Sequence, residues 1–188
     1  MHTLSSTFVL GYHGCDKDVG ESILAGGNFK QSENSWDWLG SGVYFWEANP
    51  ERGLEFAHEQ ANRKNPSKKY DPFVIGAVID LGYCFDLTTK TSVDYLEVAY
   101  SSYLSVVKKA AQPLPVNDSR GKHHLDCAVI NHMHEIMRTD NAQPLDTVKG
   151  LFIEGEPVFE SSRFMKKTHI QICVRNLECI KGVFRVNI

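Results

Sequence analysis

A continuous apolar run at residues 73–81 requires this chain to bury at least one segment on both of its faces. The run reads Phe-Val-Ile-Gly-Ala-Val-Ile-Asp-Leu, and its only charged residue is Asp80. β-Branched and aromatic residues in a short run favour an extended segment. We therefore expect a strand in the core of the fold.

Strand signals at both ends of the chain, with helix signals mainly between them, predict a mixed α+β fold. The clearest helix start is Asn49-Pro50-Glu51, which offers a capping side chain, a first-turn proline and an acid. This helix should run to about Lys64, before Asn65-Pro66. The remaining predicted elements are helices at 18–24, 91–111 and 122–138, strands at 8–12, 43–46, 148–153, 168–174 and 180–186, and loops at 30–38 and 112–120.

The size and charge of the chain set limits on its function. Its 188 residues, 42% of them hydrophobic, are enough for one packed domain, which we expect to span residues 1–188. The formal net charge of −3 argues against a general positive field for nucleic acid. Local basic clusters remain candidates for contact with a nucleic-acid backbone: Lys108-Lys109, Arg120 with Lys122, and Lys166-Lys167.

The cysteines and the N-terminal segment predict a cytoplasmic protein. The five cysteines are odd in number and include no Cys-x-x-Cys pair, which favours free thiols in a reducing compartment. The first ten residues carry no basic region and only a broken apolar run, so we expect no signal peptide. No stretch approaches 18 apolar residues, so we expect no transmembrane helix and no membrane partner.

Three short motifs carry the chemistry. The first is Tyr12-His13-Gly14-Cys15-Asp16 at the end of a predicted strand. The second is Leu39-Gly40-Ser41-Gly42-Val43-Tyr44-Phe45, a glycine-rich turn that enters a strand and precedes the capped helix. The third is the late strand His169-Ile170-Gln171-Ile172-Cys173-Val174. The glycines of the second motif precede a strand, whereas those of a dinucleotide-binding Rossmann loop follow one.

In this order and spacing, the three motifs resemble the ADP-ribosyltransferase superfamily, in its poly(ADP-ribose) polymerase and diphtheria-toxin branch. That branch carries His-Gly followed by a hydroxyl residue on a first strand, and Gly-x-Gly-x-Tyr-Phe on a second. Cys15 replaces the hydroxyl residue here. The resemblance implies a split pair of antiparallel sheets with flanking helices, NAD+ as the substrate in the cleft between them, and no metal.

The resemblance also implies a role for each site residue. The backbone of Gly14 would pair with the nicotinamide carboxamide, and Tyr44 would stack on the nicotinamide ring. His13 would bond the ribose of the adenosine half and position NAD+ for the reaction. The NAD+ site would thus comprise His13, Gly14, Gly42, Tyr44 and Trp46, with His13 and Tyr44 also counted as catalytic.

The third catalytic position has two candidates. Strand register favours Gln171, which can bond a ribose hydroxyl but has no charge to stabilise an oxocarbenium-like transition state. The rival is Glu178, seven residues later in a turn. Glu154 and Glu156 are further acids that would face the acceptor.

Other chemistry in the sequence has weaker support. His123-His124 and the pair His132 and His134 have spacings that do not share a helix face, so we expect no zinc site. Asp126-Cys127 together with His169 would suit a cysteine nucleophile. Because Cys127 lies in an apolar helical stretch, a buried inert thiol is the better interpretation.

These features predict a mono-ADP-ribosyltransferase that modifies a nucleic acid or a protein. A compact transferase of this kind is similar to intracellular bacterial effectors, including toxins of toxin–antitoxin and phage-defence systems, so an antitoxin partner is an associated hypothesis. Two alternatives stay open. One is an inactive module that binds NAD+ or ADP-ribose, which the uncharged Gln171 keeps under consideration, and the other is an NAD+ hydrolase with water as the acceptor.

Overall fold

The computed structural model describes residues 8–63, 69–118 and 121–188. The expectation of no signal peptide rests largely on residues 1–7, which lie outside this range. Lys64 at the predicted helix end, and residues 119–120 with their share of a loop and a basic cluster, lie outside it too.

The described chain forms seven strands and four α-helices. In chain order they are β1 (Phe8–Asp16), α1 (Lys17–Leu24), β2 (Val43–Glu47), α2 (Pro50–Arg63), β3 (Pro72–Asp80), β4 (Cys84–Asp86), α3 (Lys90–Lys109), α4 (His124–Thr139), β5 (Thr147–Phe152), β6 (His169–Val174) and β7 (Ile180–Arg185), with a 3-10 helix at Leu177–Cys179. The mixed α+β prediction is confirmed. The sequence analysis missed β4 and the 3-10 helix, because three residues are too few for a periodic pattern.

All seven strands belong to one sheet, in the order β4-β5-β6-β2-β1-β3-β7. Neighbouring strands are antiparallel except β4 and β5, which are parallel. The strands therefore form one mixed sheet, whereas the resemblance implied a split pair of antiparallel sheets. The apolar run at 73–81 supplies β3, which lies between β1 and β7 and buries Val74, Ile75, Ala77 and Ile79 as predicted.

Capping side chains fix where α1 and α3 begin. Asp16 accepts from the backbone N–H of Asp18 at the start of α1, and Thr89 accepts from that of Ser92 at the start of α3. Each cap satisfies a backbone donor that has no partner within the helix. Among the described residues, no helix has both the length and the apolar character needed to cross a membrane.

The sheet nearly divides between β1 and β2. Nine residue pairs join β1 to β3, but only Gly11↔Glu47 and Tyr12↔Trp46 join β1 to β2. Beyond Tyr12 the two strands diverge. β1, β3 and β7 thus lie on one side of this junction, and β2, β6, β5 and β4 on the other.

Two apolar clusters pack against the two faces of the sheet. One contains Val43 and Phe45 of β2, packed with Ala77, Ile79 and Ile172. The other lies beneath α4 and contains Leu39, Phe85, Ile130, Val148 and Cys173. β2 contributes to both, because Tyr44 on its opposite face packs against the second cluster. Its side chains are therefore held from both faces of the sheet.

Candidate functional site

A cleft of about 980 Å³ opens where β1 and β2 diverge. Five of the predicted site residues line it: His13, Gly42, Tyr44, Trp46 and Gln171. They come from segments up to 158 positions apart in sequence, so the fold brings the three motifs together. The other walls come from the 30–38 loop, α2, and the residues that precede α4 and β6.

His13 crosses the gap between the diverging strands. Its Nδ1 donates a hydrogen bond to the carbonyl oxygen of Tyr44 at 2.8 Å, and its ring packs against Phe29 and Phe45. Burial lowers the pKa of His13 below its ordinary value, and the bond to Tyr44 opposes this only in part. The neutral ring then carries its hydrogen on Nδ1, which leaves Nε2 as a hydrogen-bond acceptor.

Tyr44 uses its hydroxyl to hold the glycine-rich turn. The hydroxyl donates to the carbonyl oxygen of Gly40 at 2.7 Å and accepts from the backbone N–H of Leu39 at 2.8 Å. Gly40 has φ of 79°, a left-handed conformation that favours glycine. Because burial raises the pKa of Tyr44 well above its ordinary value, the hydroxyl stays protonated. The ring is the part of Tyr44 that is free to act on a ligand.

Gly14 is not among the residues that line the cleft, but its backbone faces the junction between β1 and β2. Leu10 accepts from the N–H of Ala48 beyond β2, and Lys17 donates to Asp71 before β3. Backbone groups alternate in direction along a strand, so even-numbered residues of β1 point toward β2. The N–H and C=O of Gly14 therefore point toward the side from which β2 has departed. A Cβ on Gly14 would overlap the carbonyl oxygen of Gly53, so α2 approaches β1 closely here.

An ion-pair network around the buried Arg52 forms the α2 wall of the cleft. Arg52 is 8% exposed and lies 3.3 Å from Glu59 and 3.5 Å from Glu154. Lys167 approaches Glu59 to 2.8 Å. The Arg52 guanidinium also lies 5.8 Å from the ring centre of Trp46, which is 2% exposed. This network holds Glu154 at the cleft, whereas Glu156 is exposed and outside the lining.

The sequence analysis missed Arg52 and Glu59 as site residues. One signal could have found them. Arg52, Glu55 and Glu59 are spaced i, i+3 and i+7, which places one cation and two acids on a single face of α2. Their contact with Glu154 and Lys167 joins segments about a hundred residues apart, and no local pattern predicts it.

Gln171 lies in β6, opposite Trp46 of β2. Its side-chain nitrogen is 3.0 Å from Nε2 of His169, whose Nδ1 lies 2.6 Å from the carbonyl oxygen of Lys167. The rival Glu178 lies in the 3-10 helix after β6 and is exposed. Of the two candidates, Gln171 alone belongs to the cleft lining within the described ranges.

The thiols near the site are buried. Cys15, which follows the His-Gly pair, has its pKa raised to about 11, mainly by burial. Burial also raises the pKa of Cys127, whose thiol donates to the carbonyl oxygen of Asn34. Neither environment favours the thiolate that a cysteine nucleophile needs. All five cysteines are free, as predicted.

Three histidines at the start of α4 and within it take part in protein contacts. His123 stacks on Trp38 with ring centres 3.7 Å apart, His124 contacts Ser35, and His132 contacts Ser102. Within residues 8–63, 69–118 and 121–188, no group of three or more histidine, cysteine or acidic side chains could hold a metal ion.

Comparison with known proteins gives one relative. An uncharacterized protein of Methanocaldococcus jannaschii is 24% identical to this chain in an alignment of 186 positions, which spans 90% of this chain and 83% of that protein. No family model and no solved structure matches the chain.

Proposed function

We propose that this protein is an NAD+-dependent mono-ADP-ribosyltransferase whose acceptor is a macromolecule, a nucleic acid or a protein. One observation carries the proposal. Residues from all three motifs line a single cleft at the point where β1 and β2 part. The near division of the sheet at this junction supports the split-sheet arrangement that the motif resemblance implies.

In the proposed complex, the nicotinamide end of NAD+ lies in the gap between β1 and β2. The N–H and C=O of Gly14 face that gap and match the acceptor and donor of a carboxamide. The Tyr44 ring offers an aromatic face to the positively charged pyridinium ring. His13 presents Nε2 as an acceptor for a ribose hydroxyl of the adenosine half.

The reaction breaks the bond between the ribose and the nicotinamide nitrogen. The bonding electron pair leaves with nicotinamide, the ribose carbon gains positive charge, and a nucleophile of the acceptor then bonds to that carbon. Gln171 holds a ribose hydroxyl through its amide, and as a neutral group it gives less electrostatic stabilisation than a carboxylate would. This favours single transfer over efficient polymer elongation.

The test is incubation of the purified protein with NAD+ that is labelled separately on the nicotinamide and on the adenylate. RNA, DNA and cell lysate are offered in separate reactions. We expect free nicotinamide together with adenylate label on one of the three acceptors. Gln171→Ala should abolish both signals, and the matched variant Glu178→Ala should retain them. Loss in Glu178→Ala with an active Gln171→Ala would move the third catalytic position to Glu178.

The uncharged Gln171 also supports a second candidate, a module that binds NAD+ or ADP-ribose without turnover. Saturable binding of NAD+ with neither nicotinamide nor labelled acceptor would favour this module. Nicotinamide release with no labelled acceptor would instead favour an NAD+ hydrolase. The absence of both binding and turnover would reject all three activities. A role as a toxin or phage-defence effector with an antitoxin partner depends on the transferase outcome.

A further inference from the structure

His169 is a buried histidine next to the catalytic candidate Gln171. Its side chain is fully buried, and the rings of Phe152 and Trp46 lie 5.7 Å and 6.3 Å from its ring, centre to centre. Nδ1 lies 2.6 Å from the carbonyl oxygen of Lys167. Because a carbonyl oxygen can only accept, Nδ1 must carry a hydrogen.

Burial, more than the surrounding charges, keeps the His169 ring neutral. Burial lowers the pKa of His169, and Arg52 lowers it further. The Lys167 carbonyl and the carboxylates of Glu154 and Glu59 oppose this shift, with Glu154 at 3.9 Å from Nδ1. The pKa remains below its ordinary value. A neutral ring with its hydrogen on Nδ1 has a lone pair on Nε2.

That lone pair decides which way the Gln171 amide points. Gln171 Nε2 lies 3.0 Å from His169 Nε2, so the NH₂ group donates to the imidazole. The other end of the amide, Oε1, is then left for the cleft that Gln171 lines. Among the described residues, none donates a hydrogen bond to Gln171 Oε1. The reverse orientation of the amide would place Gln171 Oε1 against the lone pair of His169 Nε2, and two acceptors would then repel each other.

We infer that His169 is a positioning residue, whose Nε2 lone pair holds the Gln171 amide so that its oxygen faces the cleft. Gln171 then accepts a hydrogen bond from a ligand hydroxyl and rejects a ligand oxygen that can only accept. A proton on His169 Nε2 would reverse the amide and reverse this preference. The identity of the hydroxyl as one on the nicotinamide-side ribose rests on the proposed function, whereas the orientation of the amide does not.

The first experiment reads the tautomer of His169 without any ligand. The ¹⁵N chemical shifts of the imidazole in the wild-type protein at neutral pH distinguish hydrogen on Nδ1 from hydrogen on Nε2. We expect Nδ1–H and an unprotonated Nε2, with coupled changes in the Gln171 amide signals when the pH falls below the His169 pKa. An Nε2–H tautomer, or Gln171 signals that ignore the titration of His169, would overturn the inference.

The second experiment uses Gln171→Glu, which is close to isosteric but removes the amide donor. A carboxylate can only accept, so His169 should take a proton on Nε2, and its pKa should rise above the wild-type value. A His169 pKa that is unchanged in this variant would contradict the contact. Gln171→Leu serves as the matched variant that removes the donor without adding charge, and it should leave His169 neutral.

The third experiment tests the hydroxyl by comparing the binding of NAD+ with that of an analogue lacking the 2′-hydroxyl of the nicotinamide-side ribose. Wild-type protein should prefer NAD+ by about tenfold, the usual scale of one hydrogen bond. This preference should disappear in Gln171→Leu and fall with His169 protonation in the wild type. If neither compound binds while the tautomer is Nδ1–H, the proposed function fails and the orientation of the amide stands. Equal binding to the wild type would overturn the hydroxyl assignment.

Discussion

The two edges of β1 differ sharply. Toward β3 the strand is paired along all nine of its residues, from Phe8↔Asp80 to Asp16↔Pro72. Toward β2 only Gly11 and Tyr12 are paired. The same strand therefore has one edge closed by backbone hydrogen bonds and another edge that opens after two residues.

The open edge is held by side chains instead of a backbone ladder. His13 bonds the carbonyl oxygen of Tyr44, and Tyr44 in turn bonds Leu39 and Gly40 of the preceding turn. Side-chain bonds satisfy backbone groups that the divergence leaves without strand partners, and they leave space for a ligand. The closed edge stabilises the fold, and the open edge provides the cleft.

Closing the space beneath the open edge should have the largest effect. Gly14→Ala places a Cβ on the carbonyl oxygen of Gly53, so α2 must move away from β1. We expect a loss of about 3 kcal/mol in the free energy of unfolding, at the upper end for overpacking. Urea unfolding measures it. The matched control is Gly182→Ala on the closed side, where a Cβ meets nothing within 4 Å and the change should stay within about 0.5 kcal/mol. Equal midpoints for the two variants would refute the close approach of α2.

Removing the Tyr44 hydroxyl should have a smaller effect. Tyr44→Phe keeps the ring in place but leaves the Leu39 N–H and the Gly40 C=O without this partner. We expect a loss of about 2 kcal/mol in the free energy of unfolding, while the ring that we propose stacks on the pyridinium remains. The control is Tyr100→Phe at an exposed tyrosine of α3, where loss of the hydroxyl should matter by less than about 0.5 kcal/mol. If Tyr44→Phe leaves the free energy of unfolding unchanged, the turn does not depend on this hydroxyl.

Breaking the side-chain bridge across the gap should cost less again. His13→Phe preserves a ring that can pack against Phe29 and Phe45 but deletes the bond to the Tyr44 carbonyl. We expect a loss of about 1 kcal/mol in the free energy of unfolding, measured by the same urea titration. The exposed His58→Phe on α2 is the control and should be close to neutral. A His13→Phe variant as stable as this control would mean that the bridge does not hold the open edge.

The sequence predicted the individual strands and helices better than it predicted how the strands pair. The strand at 73–81 and the helix from Pro50 follow from local patterns, and the structure has both. The early divergence of β1 and β2 depends on twist and on packing beneath α2, which no local pattern encodes. The parallel pairing of β4 with β5 was not predicted either, because it joins segments about sixty residues apart.

The site shows the same limit. His13, Tyr44 and Gln171 could be found because each lies within a short motif on a strand. The choice of Gln171 over Glu178 followed from strand register, and β6 includes Gln171 and ends before Glu178. The partnership of Gln171 with His169 was not predicted. A spacing of two residues indicates only a shared face, and the bond depends on a ring tautomer set by the Lys167 carbonyl.

The smallest chemical change that we expect to have an effect is the gain of one proton by a buried histidine near the cleft. Burial lowers the pKa of His13 and of His169, so the folded protein binds these protons less readily than the unfolded chain does. Their contribution to stability is unaffected above the unfolded value of about 6.5, and it falls as the pH drops from there toward the lower folded values. Urea midpoints at pH 7.5 and pH 6.0 should therefore decrease with decreasing pH. The decrease should be smaller in His13→Phe and in His169→Phe than in the wild type. A decrease as large in both variants as in the wild type would place the titrating groups elsewhere, for example at His123, His132 and His134, whose pKa values burial also lowers.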